Sequence, residues 1–341
     1  MKIAQLAPLW ERVPPFRYGG IELIVSLLTE ELVRRGHDVT LFASGDSITT
    51  AKLKSVHDQA LRLDLSIKEP GLYEQMMLFE VYNNAHHFDI IHSHVGCAGL
   101  PYTSFVKTPT VHTMHGIFTP DNEKMFRCFA WEPYISISQA QREPRLGLNY
   151  VHTVHNGINT SVYPFQPQPT QPAYLAFVGR ISPEKGPEEA IKIARAAGLP
   201  LKMAGKVDAF DRVYYREQIE PLIDGEQIQY LGEVSHEKKV QLLGGATVTL
   251  FPITWREPFG LVMIESMATG TPVIGMGLGS VPEIIVHGKT GFVCHSLEQM
   301  IEAIPAAIKL DRPTCRDYVL SNFSVQSMTD EYEKAFQMVL E

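Results

Sequence analysis

The chain has 341 residues, 45% hydrophobic and 20% charged, with a formal net charge of -8. That length exceeds what one hydrophobic core serves, so two domains are expected. The acidic balance lacks the concentrated basic footprint of a duplex-binding protein, which argues against a nucleic-acid partner, and no apolar run reaches the roughly eighteen residues of a membrane span.

Taken in order, residues 2–7 (KIAQLA) read as a first strand. The run MKIAQLAPLW lacks the length and cleavage pattern of a signal peptide. A loop rich in Pro, aromatics and Gly follows, ending in Tyr18-Gly19-Gly20. Its WERVPPFRY stretch could fold over an acceptor or be a plain surface loop. IELIVSLLTEELVRRG repeats apolar residues at helical spacing and stops at Gly36, and HDVTLFAS is a second strand. Strand, glycine loop, helix and strand in succession predict a parallel sheet covered by helices. Residues 73–87 read as helix, and 88–96, 108–116 and 133–141 as strands, with Ser138 placed to cap a following helix. Residues 151–165 carry a short strand and an Asn-Gly turn.

The proline- and glutamine-rich stretch 165–174 reads as a linker. After it the alternation restarts: AYLAFVGR, LPLKMAG, IQYLGEV, TVTLFP and TPVIGM as strands, and helices over EEAIKIARAAG, 211–222, EKKVQLLGGA, FGLVMIESMATG and 296–309. The expected organisation is a domain at 1–165, a second at 166–320, and a terminal helix at 321–341 returning to the first. Two doubly wound domains would bind ligands at the carboxyl ends of their strands.

Candidate chemistry falls in four places. In Gly179-Arg180-Ile181-Ser182-Pro183-Glu184-Lys185-Gly186, two cations in one loop after a strand suit a diphosphate, Arg as a rigid fork and Lys as a compact charge. Exposed loop residues would look the same. In Arg256-Glu257-Pro258-Phe259-Gly260-Leu261, Pro and Gly at a helix start leave N–H groups for an anion. Glu257 and Glu265 could then reach sugar and ribose hydroxyls, or Glu257 could only complement the helix dipole and Glu265 be solvated. His92, His94, His112 and His115 cluster at two strand ends. Their HSH and HTMH spacings are not a zinc signature, and His92 suits a buried, hydrogen-bonded role. Gly19 and Gly20 permit close backbone approach at a helix start, though the dinucleotide fingerprint and the Walker pattern are absent. Cys97, Cys128, Cys294 and Cys315 form no CxxC pair and read as free thiols of a reducing compartment.

In this order the segments GGIELIVSLLTEELVRRGHDVTLFA, TMHG (113–116), HNGINTSVYPF (155–165), FVGRISPEKG (177–186) and REPFGLVMIESMATGTPVIG (256–275) resemble glycosyltransferase family 4, over essentially the whole chain. The resemblance implies a GT-B fold of two facing Rossmann-like domains with an interdomain cleft. It implies metal-independent, retaining transfer of a hexosyl group from a nucleoside-diphosphate sugar, UDP favoured and GDP possible, to an acceptor hydroxyl. Carried over by position, Gly19 and Gly20 would meet the donor phosphate and His115 would bond the transferred sugar at its 6-hydroxyl. Arg180 and Lys185 would clamp the diphosphate, and Val234 would hold the base through its backbone. Glu257 would bind sugar hydroxyls, the backbone at Phe259, Gly260 and Leu261 sugar and phosphate, and Glu265 the ribose. Domain closure would assemble the site, and front-face attack is favoured because no carboxylate is placed as a nucleophile.

No cofactor or metal is expected. The acceptor would be a carbohydrate or small molecule; the chain is short for the family, which counts against a membrane-embedded acceptor but leaves a lipid-linked one open, and the protein would be a monomer or weak dimer. A cytoplasmic location is expected, with peripheral contact at the inner membrane face left open. The rival readings are an epimerase or hydrolase on the same fold, a non-catalytic nucleotide-sugar-binding protein, and an NAD-dependent dehydrogenase, which the missing fingerprint disfavours.

Overall fold

Two stretches of alternating strand and helix build two parallel sheets, seen in a computed structural model that describes residues 1–16 and 19–341. Tyr18 of the predicted glycine loop, and Arg17 beside it, lie outside the described residues. Contacts divide the chain into one unit of Met1–Gly157 with Val325–Glu341, and a second of Ile158–Ser324. The chain first passes between units at 157–158, ahead of the proline-rich stretch. Residues 158–165 belong with the second unit because Arg316 donates to the carbonyls of Thr160 and Tyr163.

The first sheet contains β1 (Lys2–Leu6), β2 (Asp38–Phe42), β3 (Lys52–Lys54), β4 (Ile90–Ser93), β5 (Thr110–Met114), β6 (Tyr134–Ser136) and β7 (Tyr150–Thr153). Its spatial order is β3-β2-β1-β4-β5-β6-β7, every pairing parallel. Order reverses between β1 and β4, so the carboxyl ends of those strands frame the switch point where such sheets bind ligands. Helices α1 (Gly20–Arg34), α2 (Pro70–Asn83), α3 (Leu100–Thr103) and α4 (Pro120–Cys128) belong to this unit. β4 and β5 are buried at every residue, as a sheet covered on both faces requires.

The second sheet contains β8 (Leu175–Val178), β9 (Leu201–Ala204), β10 (Ile228–Tyr230), β11 (Val248–Phe251), β12 (Val273–Met276) and β13 (Gly291–Cys294). Its order is β10-β9-β8-β11-β12-β13, and its switch point lies between β8 and β11. The helices are α5 (Pro187–Ala197), α6 (Arg212–Tyr214), α7 (His236–Gly245), α8 (Leu261–Ala268), α9 (Val281–Ile284), α10 (Leu297–Ala307) and α11 (Arg312–Asn322). The core of this unit gathers Leu175, Phe177, Ile191, Met203, Leu250 and Ile274.

The final helix, α12 (Val325–Leu340), packs on α1 and β7. Arg35 pairs with Asp330 and Glu333 at 2.6 Å each, and His37 reaches Glu333 at 2.7 Å. Tyr332 and Phe336 are fully buried, their ring centroids 5.0 and 5.1 Å from that of His92.

Several elements differ from expectation. The helix expected at 211–222 breaks into α6, a π turn at Tyr215–Ile219 and a 3-10 turn at Glu220–Leu222, and Pro221 lacks the N–H that a longer helix needs. Ser138 caps no helix; its hydroxyl accepts from Gln141 N at 3.0 Å within a turn. β3 and β13 close sheet edges and are only three and four residues long. α4 begins at a Thr119–Asn122 capping box with Pro120 behind the cap.

Candidate active site

The strand β8 ends at Val178 and hands the chain to Gly179-Arg180. A 3-10 turn at Pro183–Lys185 then leads through Gly186 into α5. Gly186 has φ +72°, and a Cβ there would lie 2.0 Å from Pro252 O. Only glycine lets this loop press against the end of β11. The close approach brings Lys185 Nζ to 2.5 Å from Glu257 Oε2. Trp255 Nε1 donates to the same oxygen at 2.9 Å, and its ring lies 4.8 Å from the ammonium. Glu257 is 7% exposed, so this charge is held between two donors rather than by water. Behind it, a Cβ on Gly279 would come 2.3 Å from Glu257 O, and Ser280 N donates to that carbonyl at 3.0 Å. Arg180 pairs with Glu184, and its Nη1 is 3.5 Å from Asp208 Oδ2.

Gly260, at φ +80°, turns the chain from this loop into α8, whose first turn has no side-chain cap. Its N–H groups therefore add positive potential at the end of the loop in which Glu257 meets Lys185. Ser280 Oγ donates to Phe259 O at 2.7 Å and fixes the turn. Glu265 lies within α8 and is 4% exposed. This corrects the solvated-helix alternative: its Oε1 accepts from Lys239 Nζ at 2.5 Å and Tyr163 OH at 2.8 Å, while Oε2 takes neither bond. Burial, then the adjacent Glu265 charge, pushes the Tyr163 phenol above its ordinary range. Val234 precedes the Ser235 cap of α7 and packs against a cluster containing Tyr174 and Leu242. The second unit thus gathers Arg180, Lys185, Glu257, Phe259, Gly260 and Leu261 around the ends of β8 and β11.

The first unit holds Gly19, Gly20 and His115. Gly19 has φ +153°, and a Cβ there would meet Pro15 Cβ at 2.7 Å. α1 starts at Gly20 without a side-chain cap. His115 follows β5, and its Nε2 is 2.8 Å from His94 Nδ1. His94 Nε2 in turn meets Gln5 Oε1 at 3.2 Å. Burial lowers His94 well below the ordinary imidazole range and holds His115 at about 4, so both rings are neutral near pH 7. A neutral imidazole carries one N–H. With the Gln5 oxygen accepting from His94 Nε2, His94 Nδ1 must accept, His115 Nε2 must donate, and His115 Nδ1 keeps its lone pair.

The other two histidines do not join this chain. His92 is fully buried, 2.7 Å from Thr113 Oγ1. His112 is buried with neither ring nitrogen partnered, and burial lowers it to about 3. Among the described residues no group of three or more His, Cys, Asp or Glu is arranged to hold a metal ion.

Sequence reasoning missed Gln5, Glu184, Asp208, Trp255, Tyr163 and Lys239. Of these only Glu184 and Trp255 lie close in sequence to a named residue. Gln5 comes from β1 and Lys239 from α7, while Asp208 lies in a loop just before one short turn and Tyr163 just after another, and none leaves a spacing signal.

A family model described as Glycosyltransferase Family 4 matches residues 18–161, and one described as Glycosyl transferases group 1 matches residues 163–319. Alpha-maltose-1-phosphate synthase of Mycolicibacterium smegmatis is 26% identical, over 89% of this chain and 88% of its own length. Among solved structures, HepE of Anabaena in complex with UDP and glucose superposes with a TM-score of 0.75 at 19% identity, covering 99% of each chain. Sucrose-phosphate synthase of Thermosynechococcus elongatus gives a TM-score of 0.80 at 19% identity and 98% coverage of each chain. These structural likenesses speak for the fold.

Proposed function

The chain being a GT-B-fold glycosyltransferase related to the family 4 and group 1 enzymes, one that moves a sugar from a nucleoside-diphosphate donor to an acceptor, we propose that it is a retaining, metal-independent hexosyltransferase that prefers a UDP-sugar over a GDP-sugar. The observation that carries this reading is the Lys185–Glu257 pair at 2.5 Å, set at the switch point of the second sheet beside the uncapped start of α8. A cation, a carboxylate and helix N–H groups at one point match a ligand carrying a diphosphate next to a polyol. The UDP bound by the Anabaena relative supports the base preference.

In this reading Arg180 and Lys185 hold the diphosphate, and Gly19 and Gly20 approach it with backbone from the first unit. Glu257 accepts from sugar hydroxyls, the backbone of Phe259, Gly260 and Leu261 donates to sugar and phosphate, and Glu265 offers Oε2 to the ribose. Val234 holds the base by its backbone, and His115 Nδ1 accepts from a hydroxyl of the transferred sugar. The anomeric C–O bond breaks, its electron pair passing to the diphosphate. Arg180, Lys185 and the α8 N–H groups stabilise that charge where it develops. The acceptor oxygen bonds the same face of the oxocarbenium-like carbon. Its proton moves to the departing phosphate oxygen, so no carboxylate nucleophile is needed.

The four free cysteines support a cytoplasmic location as part of this reading. Among the described residues no helix is long and apolar enough to cross a membrane. A thermal-shift screen against UDP, GDP and ADP, followed by the anomeric configuration of the product, tests the reading. UDP should raise the melting temperature most, because only ligands that bind the folded state stabilise it. Failure of every nucleotide to do so, an inverted product, or rapid epimer formation without acceptor would overturn it.

A further inference from the structure

Within the first unit, a cavity of about 360 Å³ runs from Ile21 at the start of α1 to His115. That volume lies within the range of small-molecule sites. Its inner wall is apolar, made of Leu9, Met77, Leu78, Met114 and Phe126. Of the polar side chains that reach it, Asn122 and His94 are committed elsewhere, which leaves the exposed Glu74 and the Nδ1 of His115. Asn122 bonds Thr119 N and Ile117 O, and His94 bonds Gln5 and His115. A hydroxyl-rich sugar filling this space would leave most of its hydroxyls facing methyl groups, which is costly. The cavity shares Cys97 and Ala98 with a second hollow of about 500 Å³, whose wall includes Tyr102, Phe105 and Met125. Phe105 is 83% exposed and Met125 37%, so the apolar lining continues to the surface.

We propose that the acceptor is a hydroxyl-bearing small molecule with an apolar aglycone, alkyl or aromatic, and that this cavity holds the apolar portion. The accepting hydroxyl lies at the His115 end, and longer aglycones extend past Ala98 toward Phe105. The inference rests on the transferase reading above and deepens it, because it names the acceptor's class from a cavity that meets the proposed donor site only at its His115 end.

Calorimetric titration of the full chain, saturated with UDP, against methyl, butyl and octyl β-glucoside below their micelle concentrations tests it. Each buried methylene should tighten binding about fourfold, and octyl should exceed methyl by at least about tenfold. Ala98→Phe, which narrows the junction of the two hollows, should cancel the gain for octyl. Phe105→Ser, at an exposed position, should reduce the octyl gain while leaving butyl unchanged. Stabilisation by UDP should persist in both variants and shows that they fold. Affinity that does not rise with chain length overturns the inference, as does a rise that survives Ala98→Phe. Co-sedimentation with phosphatidylglycerol vesicles, without any response to the free glucosides, points to a bilayer and also overturns it. A chain-length gain without stabilisation by any nucleotide upholds the cavity and removes the donor reading instead.

Discussion

Lys185 and Glu257 meet at 2.5 Å, yet they serve different parts of the proposed donor, so their substitution should have different signatures. Lys185→Ala removes charge aimed at the leaving diphosphate and should lower kcat/KM by about 100-fold or more. It should also weaken UDP itself. Glu257→Gln keeps the shape but loses the charge proposed to accept sugar hydroxyls. It should weaken the nucleotide sugar while leaving UDP binding near its original strength. Steady-state kinetics beside UDP titrations separate the two; wild-type rates in both variants would remove these residues from the site. Gln5→Leu supplies a third contrast. It deletes the oxygen that orients His94, and through it His115. A lost hydrogen bond of about 1 kcal/mol corresponds to roughly fivefold in kcat. Donor KM should hold, and the ¹⁵N shifts of His115 should report a mixed tautomer. Unchanged shifts would show that Gln5 does not set the ring. Lys185, Glu257 and His115 were legible because they stand in ordered motifs at strand ends. Gln5 was not, because its role depends on β1 lying beside β4, a pairing that local sequence does not display.

At the scale of elements, two glycines flanking α5 show how differently one residue type is constrained. Gly186 and Gly198 both have φ near +70°, at +72° and +66°. Nothing lies within 4 Å of a Cβ at Gly198, so Gly198→Ala meets only the left-handed backbone penalty, about 1–2 kcal/mol. Gly186→Ala adds a collision with Pro252 O at 2.0 Å. It should destabilise more, and it should displace the turn that carries Lys185. Activity measured well below the melting temperature should therefore fall for Gly186→Ala and remain for Gly198→Ala; equal activities would show that the turn tolerates the shift. The long amphipathic helices and buried strands were readable from periodicity. The edge strand β3 was not, because KLK alternates charge with one apolar residue and resembles a loop. α11 was hidden for a different reason. Its Arg312 is 7% exposed and donates to the carbonyls of Gln166, Gly244 and Ala246, so a charged residue holds a buried position.

For the molecule as a whole, the α/β class and the two parallel-sheet domains followed from the repeated strand–helix alternation, but the uneven response to acid did not. His92, His94 and His112 are buried in the first unit, and His115 is half-buried beside them. All four are shifted downward, burial being the largest cause in each case. In the unfolded chain each would titrate near the ordinary imidazole value of about 6.5. Their neutrality therefore contributes stability that is fully present above about pH 6.5 and is lost as pH falls toward the folded values, about 4 for His115 and about 3 for His112. Within that window the unfolded chain binds more protons than the folded one, so unfolding free energy should drop, by at most about 1.4 kcal/mol per pH unit for each proton of difference. At pH 5 that approaches about 2 kcal/mol each for His112 and His115, with His92 and His94 acting in the same direction, so the fold loosens before His115 itself charges. Urea unfolding at pH 7, 6 and 5 should show this decline, and hydrogen exchange should place the lost protection in β4 and β5. His112→Leu removes one ring whose nitrogens have no partner, and it should make the decline shallower by one proton's worth. An unchanged slope in that variant would mean that His112 is protonated within the folded sheet. Stabilisation by UDP should act on the other half of the chain, raising protection at the ends of β8 and β11. Acid and nucleotide should thus move different sets of amides, and a single uniform change across both sheets would contradict the division of labour proposed for the two units.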